Sequence, residues 1–178
     1  MCMQRLLCLY CLCLILSACD REAPQPVDQL PPATQEGANT FGCLVDGELW
    51  LPESDSWLDV PWTASYSNGL SYLIFSATNE TSNSGFRFSF PSDFGTSGLI
   101  RAEGTYELIH VSNQKYIYFR QGNTFYRPDS THNGVLTITR LDTLEGRFVS
   151  GTFYFDAVNE NDSTDIVQIT DGRFDLKF

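Results

Sequence analysis

Apolar and polar residues alternate with a period of two along most of the chain after residue 40, which is the pattern of β-strands with one buried face. In Arg173 to Phe178, the aromatic and aliphatic residues would face a core and the charged residues would face solvent. No long window after residue 18 has a convincing helical period, although residues 53–59 could form one short helical turn. The pattern therefore indicates an all-β fold.

Pairs of Asp or Asn with Gly separate these runs and predict type I′ hairpin turns, in which both central residues need positive φ. The four pairs are Asp46-Gly47, Asn68-Gly69, Asn133-Gly134 and Asp171-Gly172. We expect strands near residues 41–45, 48–51, 63–67, 70–78, 85–90, 104–111, 114–121, 123–127, 134–141, 146–158, 165–170 and 173–178. Ser150-Gly151 predicts a bulge within one long strand. The expected fold is a single antiparallel β-sandwich or partly closed barrel of roughly nine to eleven strands.

The first 18 residues have the layout of a signal peptide, with one positive charge at Arg5 and an apolar run over Leu6–Leu16. As a helix this run would span about 17 Å, too short for a bilayer core of about 30 Å. The following tetrapeptide, Leu16–Cys19, resembles the bacterial lipobox. The resemblance implies cleavage after Ala18 and attachment of acyl chains such as palmitate to Cys19, whereas the alternative is an ordinary signal peptide with an incidental cysteine.

The chain divides into three parts: a cleaved signal peptide at 1–18, a lipidated cysteine and proline-rich tether at 19–40, and an all-β domain at 41–178. Asp20–Thr40 contains four prolines and no aromatic residue, so it could extend up to about 65 Å as polyproline helix. Five of the six cysteines belong to the leader or the anchor, which leaves Cys43. An intramolecular disulfide and a cysteine zinc site are therefore excluded, and we expect Cys43 in the core.

The formal net charge of −11 bears on the partners of the domain. Nucleic acids and anionic lipids are bound through clusters of Lys and Arg, and this chain has no such cluster. Nucleic-acid binding is therefore excluded, and contact with a membrane is expected only through the lipid anchor at Cys19.

Few residues suggest catalysis or cofactor binding, and we expect neither a cofactor nor a metal. The two histidines, His110 in a strand pattern and His132 in a turn, lack partners at ligand spacing. Asn159–Asp165 is the densest group of oxygen ligands, but it lacks the central Gly and terminal Glu of an EF-hand. A solvated hairpin loop is favoured there over calcium. Paired carboxylates could serve a glycosidase, but no pair stands out.

Aromatic residues are the remaining binding candidates. Trp57 and Trp62 fall in an irregular stretch between predicted strands, where exposed rings could bind a glycan or a protein. Other aromatic residues of a small β-domain are more often core residues or cross-strand pairs. We therefore single out Trp57 and Trp62 as surface aromatic residues.

Three segments, Thr40–Trp50, Gly151–Asn159 and Ile169–Asp175, resemble a family of small lipoproteins from the Bacteroidota that contain a domain of unknown function. The resemblance covers the two ends of residues 40–178 and implies an exported, lipid-anchored β-domain. It brings no activity or substrate.

Such bacteria O-glycosylate exported proteins at short Asp-Ser/Thr-X segments. The resemblance therefore implies acceptor sites at Ser130, Thr143 and Ser163, each of which follows an aspartate. These residue types are also ordinary turn formers.

These observations lead to one expected function and two alternatives. We expect a lipid-anchored envelope protein at the outer membrane, facing the periplasm or the cell surface, whose β-domain has a non-catalytic structural or binding role. A lipocalin-like carrier of a small apolar ligand is the first alternative, and a carboxylate-type carbohydrate-active enzyme is the second.

Overall fold

The computed structural model describes residues 25–67, 72–90, 103–108 and 117–178. Its elements are a 3-10 turn at Pro26–Gln29 and the strands β1 (Thr40–Val45), β2 (Glu48–Trp50), β3 (Trp62–Ser67), β4 (Tyr72–Asn79), β5 (Ser84–Phe90), β6 (Gly104–Leu108), β7 (Ile117–Gln121), β8 (Thr124–Arg127), β9 (Gly134–Asp142), β10 (Phe148–Asn159) and β11 (Asp162–Lys177). The all-β prediction is confirmed. Among the helices of the described ranges, none is long and apolar enough to cross a membrane.

The eleven strands form one antiparallel sheet with the main order β2-β1-β11-β10-β8-β7-β5-β4-β3, and β6 joins it through β9. β10 is the branch point, because Phe148–Phe155 pairs with β9 whereas Val158 and Asn159 pair with β8. The sheet is not closed into a barrel, since β2 and β3 remain at its two ends.

Phenylalanine rings fill the space inside the folded sheet. Phe88 of β5 lies 4.9 Å from Phe153 of β10, and Phe75 of β4 lies 4.5 Å from Phe174 of β11, measured between ring centroids. Because these strands are not neighbours in the sheet, two layers face each other as in a sandwich. The carrier alternative needed a ligand cavity, but in the described part of the chain packed rings occupy the interior.

Several local predictions are confirmed. Asp46 and Gly47 have φ of 51° and 83° and join β1 to β2 in the expected tight turn. β10 runs through Ser150 and Gly151 as one continuous strand, as expected, but the extra residue at this register shift is Thr139 of β9, so the bulge lies in the partner strand and not in β10. Cys43 is fully buried, and burial raises the pKa of its thiol. Asn68-Gly69 lies outside the described residues, although the flanking strands β3 and β4 are paired.

The hairpin predicted at Asp171-Gly172 is wrong, because β11 continues through both residues. Gly42 of β1 pairs with Arg173 and Leu44 pairs with Thr170, so β11 carries an extra residue there. Asp171 has φ of 52°, and a bulge can use the same positive φ that a type I′ turn needs. The Asp-Gly pair thus correctly indicated a residue with positive φ, but that residue belongs to a bulge within β11 and not to a turn.

The hairpin predicted at Asn133-Gly134 is also wrong. Strands β8 and β9 do not pair with each other, and each pairs with β10 instead. Gly134 begins β9 at a close approach, since a Cβ there would lie 2.2 Å from the carbonyl oxygen of Tyr154. The glycine therefore serves sheet packing and not a turn.

A segment that we call the strap, Leu30–Asn39, crosses the outer face of β1 and β11. Leu30 is buried, and a Cβ on Gly42 would lie 2.9 Å from the Pro31 side chain, so the missing side chain of Gly42 lets the strap approach the sheet. This part of the segment predicted as a tether is thus attached to the sheet.

Asp175 holds the strap in place, although the alternation of β11 predicted that it would face solvent. Its carboxylate accepts hydrogen bonds from Thr34 Oγ1 at 2.6 Å and from the amides of Glu36, Gly37 and Ala38 at 2.8–3.1 Å. The residue is only 1% exposed. The prediction of a solvent-facing Asp175 is therefore wrong, because the strap covers that position.

The hydroxyl of Ser150 on β10 donates a further hydrogen bond of 2.6 Å to Asp175. Burial alone would raise the pKa of this carboxyl group, but the hydrogen bonds from Ser150, Thr34 and the strap amides outweigh burial and lower the pKa to about 2. Asp175 is thus charged at neutral pH and binds the strap as an anion.

Candidate functional site

In the part of the chain that the structure describes, the most exposed group of apolar side chains lies on a loop between β2 and β3 that we call the apolar loop, Ser54–Val60. Both of its ends are attached to Thr78 of β4: the Glu53 amide donates to the Thr78 carbonyl at 3.0 Å, and the Thr78 amide donates to the Pro61 carbonyl at 2.8 Å. The loop therefore leaves and rejoins the sheet at one point, as in compact surface loops whose ends lie close together.

Short hydrogen bonds within the loop shape its tip. Ser54 Oγ accepts from the Ser56 amide at 3.1 Å, and Ser56 Oγ accepts from the Leu58 amide at 3.2 Å. The tip presents Trp57, Leu58 and Val60 to solvent, with exposures of 91%, 70% and 61%. Exposed apolar residues clustered on a loop are characteristic of interaction sites.

Trp62, the second tryptophan singled out from the sequence, lies elsewhere. It begins β3, packs partly against the core, and lines a groove of about 270 Å³ together with Phe41, Pro31, Leu51 and Pro52. Trp57 does not line this groove. The two tryptophans therefore belong to adjacent features, an exposed loop and a shallow groove.

The charge around the apolar loop is negative. The loop contains Asp55 and Asp59, and Glu53 precedes it. Glu80 is also close, since its carboxylate accepts a hydrogen bond of 2.9 Å from the Asp55 amide. The apolar tip is thus surrounded by carboxylates, which favours a partner with basic groups.

A second groove of about 360 Å³ lies on the outer face of β9, β10 and β11 and was missed by the sequence reasoning. Tyr154, Thr152, Thr137 and Arg173 line it beside the strap residue Ala33. Tyr154 alternates with the buried Phe153 and Phe155, so its outward direction could have been predicted. Its closeness to the strap could not.

The acidic group at the turn between β10 and β11 is held by protein contacts. Asp165 accepts hydrogen bonds from Tyr126 Oη at 2.9 Å and from Asn159 Nδ2 at 2.8 Å. Burial and the bond to Asp165 raise the pKa of Tyr126. Glu160 pairs with Arg127. Within the described ranges, no group of three His, Cys, Asp or Glu residues could hold a metal ion.

The three aspartates that precede the suggested acceptors share one local geometry. Their Oδ1 atoms accept hydrogen bonds from the backbone amides two residues ahead, at 2.8–3.0 Å, for Asp129, Asp142 and Asp162. The three hydroxyl residues themselves are exposed, and they are Ser130, Thr143 and Ser163.

Hydrogen bonding also lowers the pKa of these aspartates. Backbone bonds from Leu144 and Glu145 lower the pKa of Asp142, and the Thr164 side chain lowers that of Asp162. For Asp129, burial acts in the opposite direction but is outweighed by bonds from the following turn, and the pKa falls to about 2. All three are turn-forming carboxylates.

The remaining residues that the sequence analysis named are a histidine in a loop and three residues outside the described ranges. His132 lies in the β8–β9 connection with Nδ1 3.0 Å from Asp129 Oδ1. Cys19, Ala18 and His110 lie outside the described residues.

Comparison with known families places much of the β-domain in a family of unknown function. Residues 57–175, more than half of the chain, match a domain of unknown function, DUF6252. The match begins inside the apolar loop, so it does not include the opening hairpin of β1 and β2 on which the resemblance partly rested. No curated protein and no solved structure was found to match. The expected domain of unknown function is confirmed, and the chain belongs to the family DUF6252.

Proposed function

We propose that the protein is a lipid-anchored component of the cell envelope whose β-domain is a non-catalytic binding module. The observation that carries this proposal is the apolar loop, which the sheet holds at both ends while Trp57 stays 91% exposed. Keeping a large aromatic ring in water is unfavourable, and a partner that covers it gains about 1.5–3 kcal/mol per buried side chain. The loop is therefore suited to bind an apolar surface.

The anchor in this proposal is Cys19, exposed after cleavage behind Ala18. Several acyl chains on one cysteine hold a protein on a membrane essentially without release. The host resemblance favours the outer membrane. Because the strap is bound to the sheet from Leu30 onward, only the chain from Cys19 to Leu30 can separate the sheet from the lipid. Fully extended, that chain reaches at most about 40 Å, less than the reach of the whole predicted tether.

Three of the acidic residues are held by contacts within the protein, which weighs against a carboxylate enzyme that would use them. Asp175 binds the strap, Asp165 binds Tyr126 and Asn159, and Glu160 pairs with Arg127. These carboxylates have structural roles, which removes them from the candidates for acid–base chemistry.

Replacement of Cys19 by Ala tests the anchor. We expect the wild-type chain in the outer-membrane fraction with the mass of attached acyl chains, and the C19A chain in the soluble fraction. Protease treatment of intact cells then distinguishes a surface position from a periplasmic one. Membrane association and mass that do not depend on Cys19 would contradict the anchor.

Replacement of Trp57 by Ala tests the binding module. The matched control is Leu144→Ala, because Leu144 is 86% exposed on a different turn. On arrays of glycans and of peptides, we expect ligands of the wild-type chain to be lost by W57A and kept by L144A. Equal binding by both variants would exclude the loop as the binding site.

Modification of Ser130, Thr143 and Ser163 is a separate proposal that rests on the host resemblance. Their exposure and shared turn geometry make the hydroxyl groups accessible. The intact mass of the native protein tests it, and a mass equal to that of the unmodified lipoprotein would exclude it.

A further inference from the structure

We propose that the outer edge of β3 is a docking site for an extended, basic segment of a partner protein, which adds to the sheet as one more strand. This inference rests on the proposed binding role and specifies the chemistry of the partner. It is carried by the backbone direction of β3, the lack of protection at its edge, and the charge around it.

The ladder between β3 and β4 shows which backbone groups reach the edge. The Thr78 amide donates to the Pro61 carbonyl, so these two residues form a hydrogen-bonded pair. Hydrogen-bonded pairs alternate with non-bonded pairs along an antiparallel ladder. Trp62, Ala64 and Tyr66 occupy the alternate positions, and their N–H and C=O groups therefore point away from β4.

Within the residues that the structure describes, the edge lacks the usual features that block strand addition. The six residues of β3 pair with β4 in unbroken register, without a bulge. They include no Lys, Arg or Pro. In the described part of the sheet, β3 is the last strand of the order. Natural edges are normally protected by charges, prolines or bulges, and an unprotected edge can accept an added strand.

The charge at the Trp62 end of the edge favours a basic partner, whereas at the other end Tyr66 packs on Phe178, over which Arg147 lies. Leu51–Ser67 contains Glu53, Asp55 and Asp59 and no Lys or Arg, and Glu80 binds the same loop. Opposite charges steer a partner to such a surface and suppress partners of like charge. A second copy would bring the same carboxylates together and itself has a net charge of −11, so it is disfavoured.

Apolar features continue the edge at the Trp62 end. The groove lined by Trp62, Leu51 and Pro52 begins there, and the apolar loop with Trp57 precedes β3 directly in the chain. Side chains of an extended segment alternate between two faces. A segment with alternating basic and apolar residues can therefore meet both the carboxylates and the apolar surfaces.

Hydrogen exchange of the backbone amides in the isotope-labelled full chain tests the site. The probe is a short peptide of alternating Lys and Val, and the control peptide has Glu in place of Lys. We expect the Lys peptide to slow exchange at Trp62, Ala64 and Tyr66 and to bind at least about tenfold more tightly than the Glu peptide. Fast exchange at these amides without peptide is also expected.

Two variants of β3 make the test specific. Ala64→Pro removes one outward N–H, and proline is tolerated where an edge N–H faces solvent, so we expect a folded chain with binding weakened roughly tenfold or more. Ser65→Lys adds a positive charge on the exposed face and should also weaken the Lys peptide, whereas Ser65→Glu should strengthen it. These charge variants test the site even if A64P does not fold.

Three results would overturn the inference: slow exchange at the edge amides before peptide is added, equal binding of the two peptides, or binding that A64P and S65K leave unchanged. Such a result would leave the proposed binding role standing if the arrays yield a ligand whose binding is lost in W57A, because that ligand would identify the apolar loop as a site. Conversely, edge binding with no effect of Trp57→Ala would separate β3 from the loop.

Discussion

The strap and the apolar loop are both irregular segments that contain several polar residues, but they contact the sheet in different ways. Three backbone amides of the strap donate hydrogen bonds to the buried carboxylate of Asp175, and these bonds fix the strap backbone on the sheet. The apolar loop is attached to β4 at its two ends and to Glu80 through the Asp55 amide, and Trp57 remains in water. The comparison shows that a segment is packed onto the sheet or stays exposed according to the hydrogen-bonding groups that the sheet places beneath it.

The largest expected effect is the loss of the strap carboxylate. Asp175→Ala leaves the Ser150 and Thr34 hydroxyls and three strap amides without their acceptor, and we expect about 3 kcal/mol or more of lost stability, since hydrogen bonds to a charged group contribute about 1.5–3 kcal/mol each. Urea unfolding measures the loss, and hydrogen exchange at Gly37 and Ala38 reports release of the strap.

Asp171→Asn is the matched control for D175A, because Asp171 is an exposed aspartate of the same strand. We expect it to change stability by less than about 0.5 kcal/mol, as surface substitutions usually do. A D175A chain as stable as the control would contradict the role given to Asp175.

Lowering the pH should cause a smaller loss of stability than removing Asp175. The pKa of Asp175 is about 2 in the folded chain, lower than its ordinary value near 3.8, so the folded state binds fewer protons than the unfolded state. The stability from Asp175 is therefore complete above about pH 4 and is lost as the pH falls toward 2, by roughly 2 kcal/mol.

Urea unfolding at a series of pH values measures this loss, and Asp175→Asn supplies the comparison. The variant should show a flatter dependence of stability on pH between about 4 and 2, because the titrating group is gone. Parallel curves for both proteins would show that the acid sensitivity arises at other carboxylates.

Gly37→Ala should weaken the strap by about 1–2 kcal/mol, because a Cβ there is disfavoured at φ of 73° and would lie 2.7 Å from Lys177 Cε. Gly47→Ala is the control, since Gly47 has φ of 83° but no atom within 4 Å of the added Cβ. Chemical denaturation of both variants separates the backbone cost from the strap contact. If G37A loses no more stability than G47A, the Lys177 side chain moves away from the added Cβ at little cost in free energy.

The smallest effect is expected at the apolar loop. Trp57→Ala should change the free energy of unfolding by less than about 0.5 kcal/mol, because the side chain is almost fully exposed. Trp50→Ala is the contrast, since Trp50 is buried, packs on Phe86 and donates to Ser84 Oγ at 2.7 Å, and should cost about 3–5 kcal/mol. Thermal and urea unfolding measure both, and a large cost for W57A would show that the loop is packed.

The strands could be located from the sequence because their signal is local. Alternation over a few residues reports one buried face, and the predicted runs lie close to β1–β5 and β9–β10. The Asp-Gly pairs were ambiguous for a physical reason. Positive φ serves a hairpin turn at Asp46-Gly47 and a bulge at Asp171-Gly172, and only the neighbouring strands distinguish the two uses.

The candidate site was predictable only in part. An irregular stretch between strands indicated Trp57 and Trp62 together, but exposure depends on whether another element covers the ring. Trp62 begins an edge strand that packs on the core, whereas Trp57 lies on a loop held away from it. The groove at Tyr154 requires the strap beside it, which no short-range pattern reports.

The sequence by itself determined the all-β class, the approximate strands and the burial of Cys43, because each depends on periodicity within a few residues. Only the tertiary structure decided that the sheet folds over at β10, that Asp175 is covered by the strap, and that Trp57 stays exposed. These outcomes depend on which distant segments become neighbours. The physical reason is that burial and hydrogen bonding at one residue are set by atoms far away in the chain.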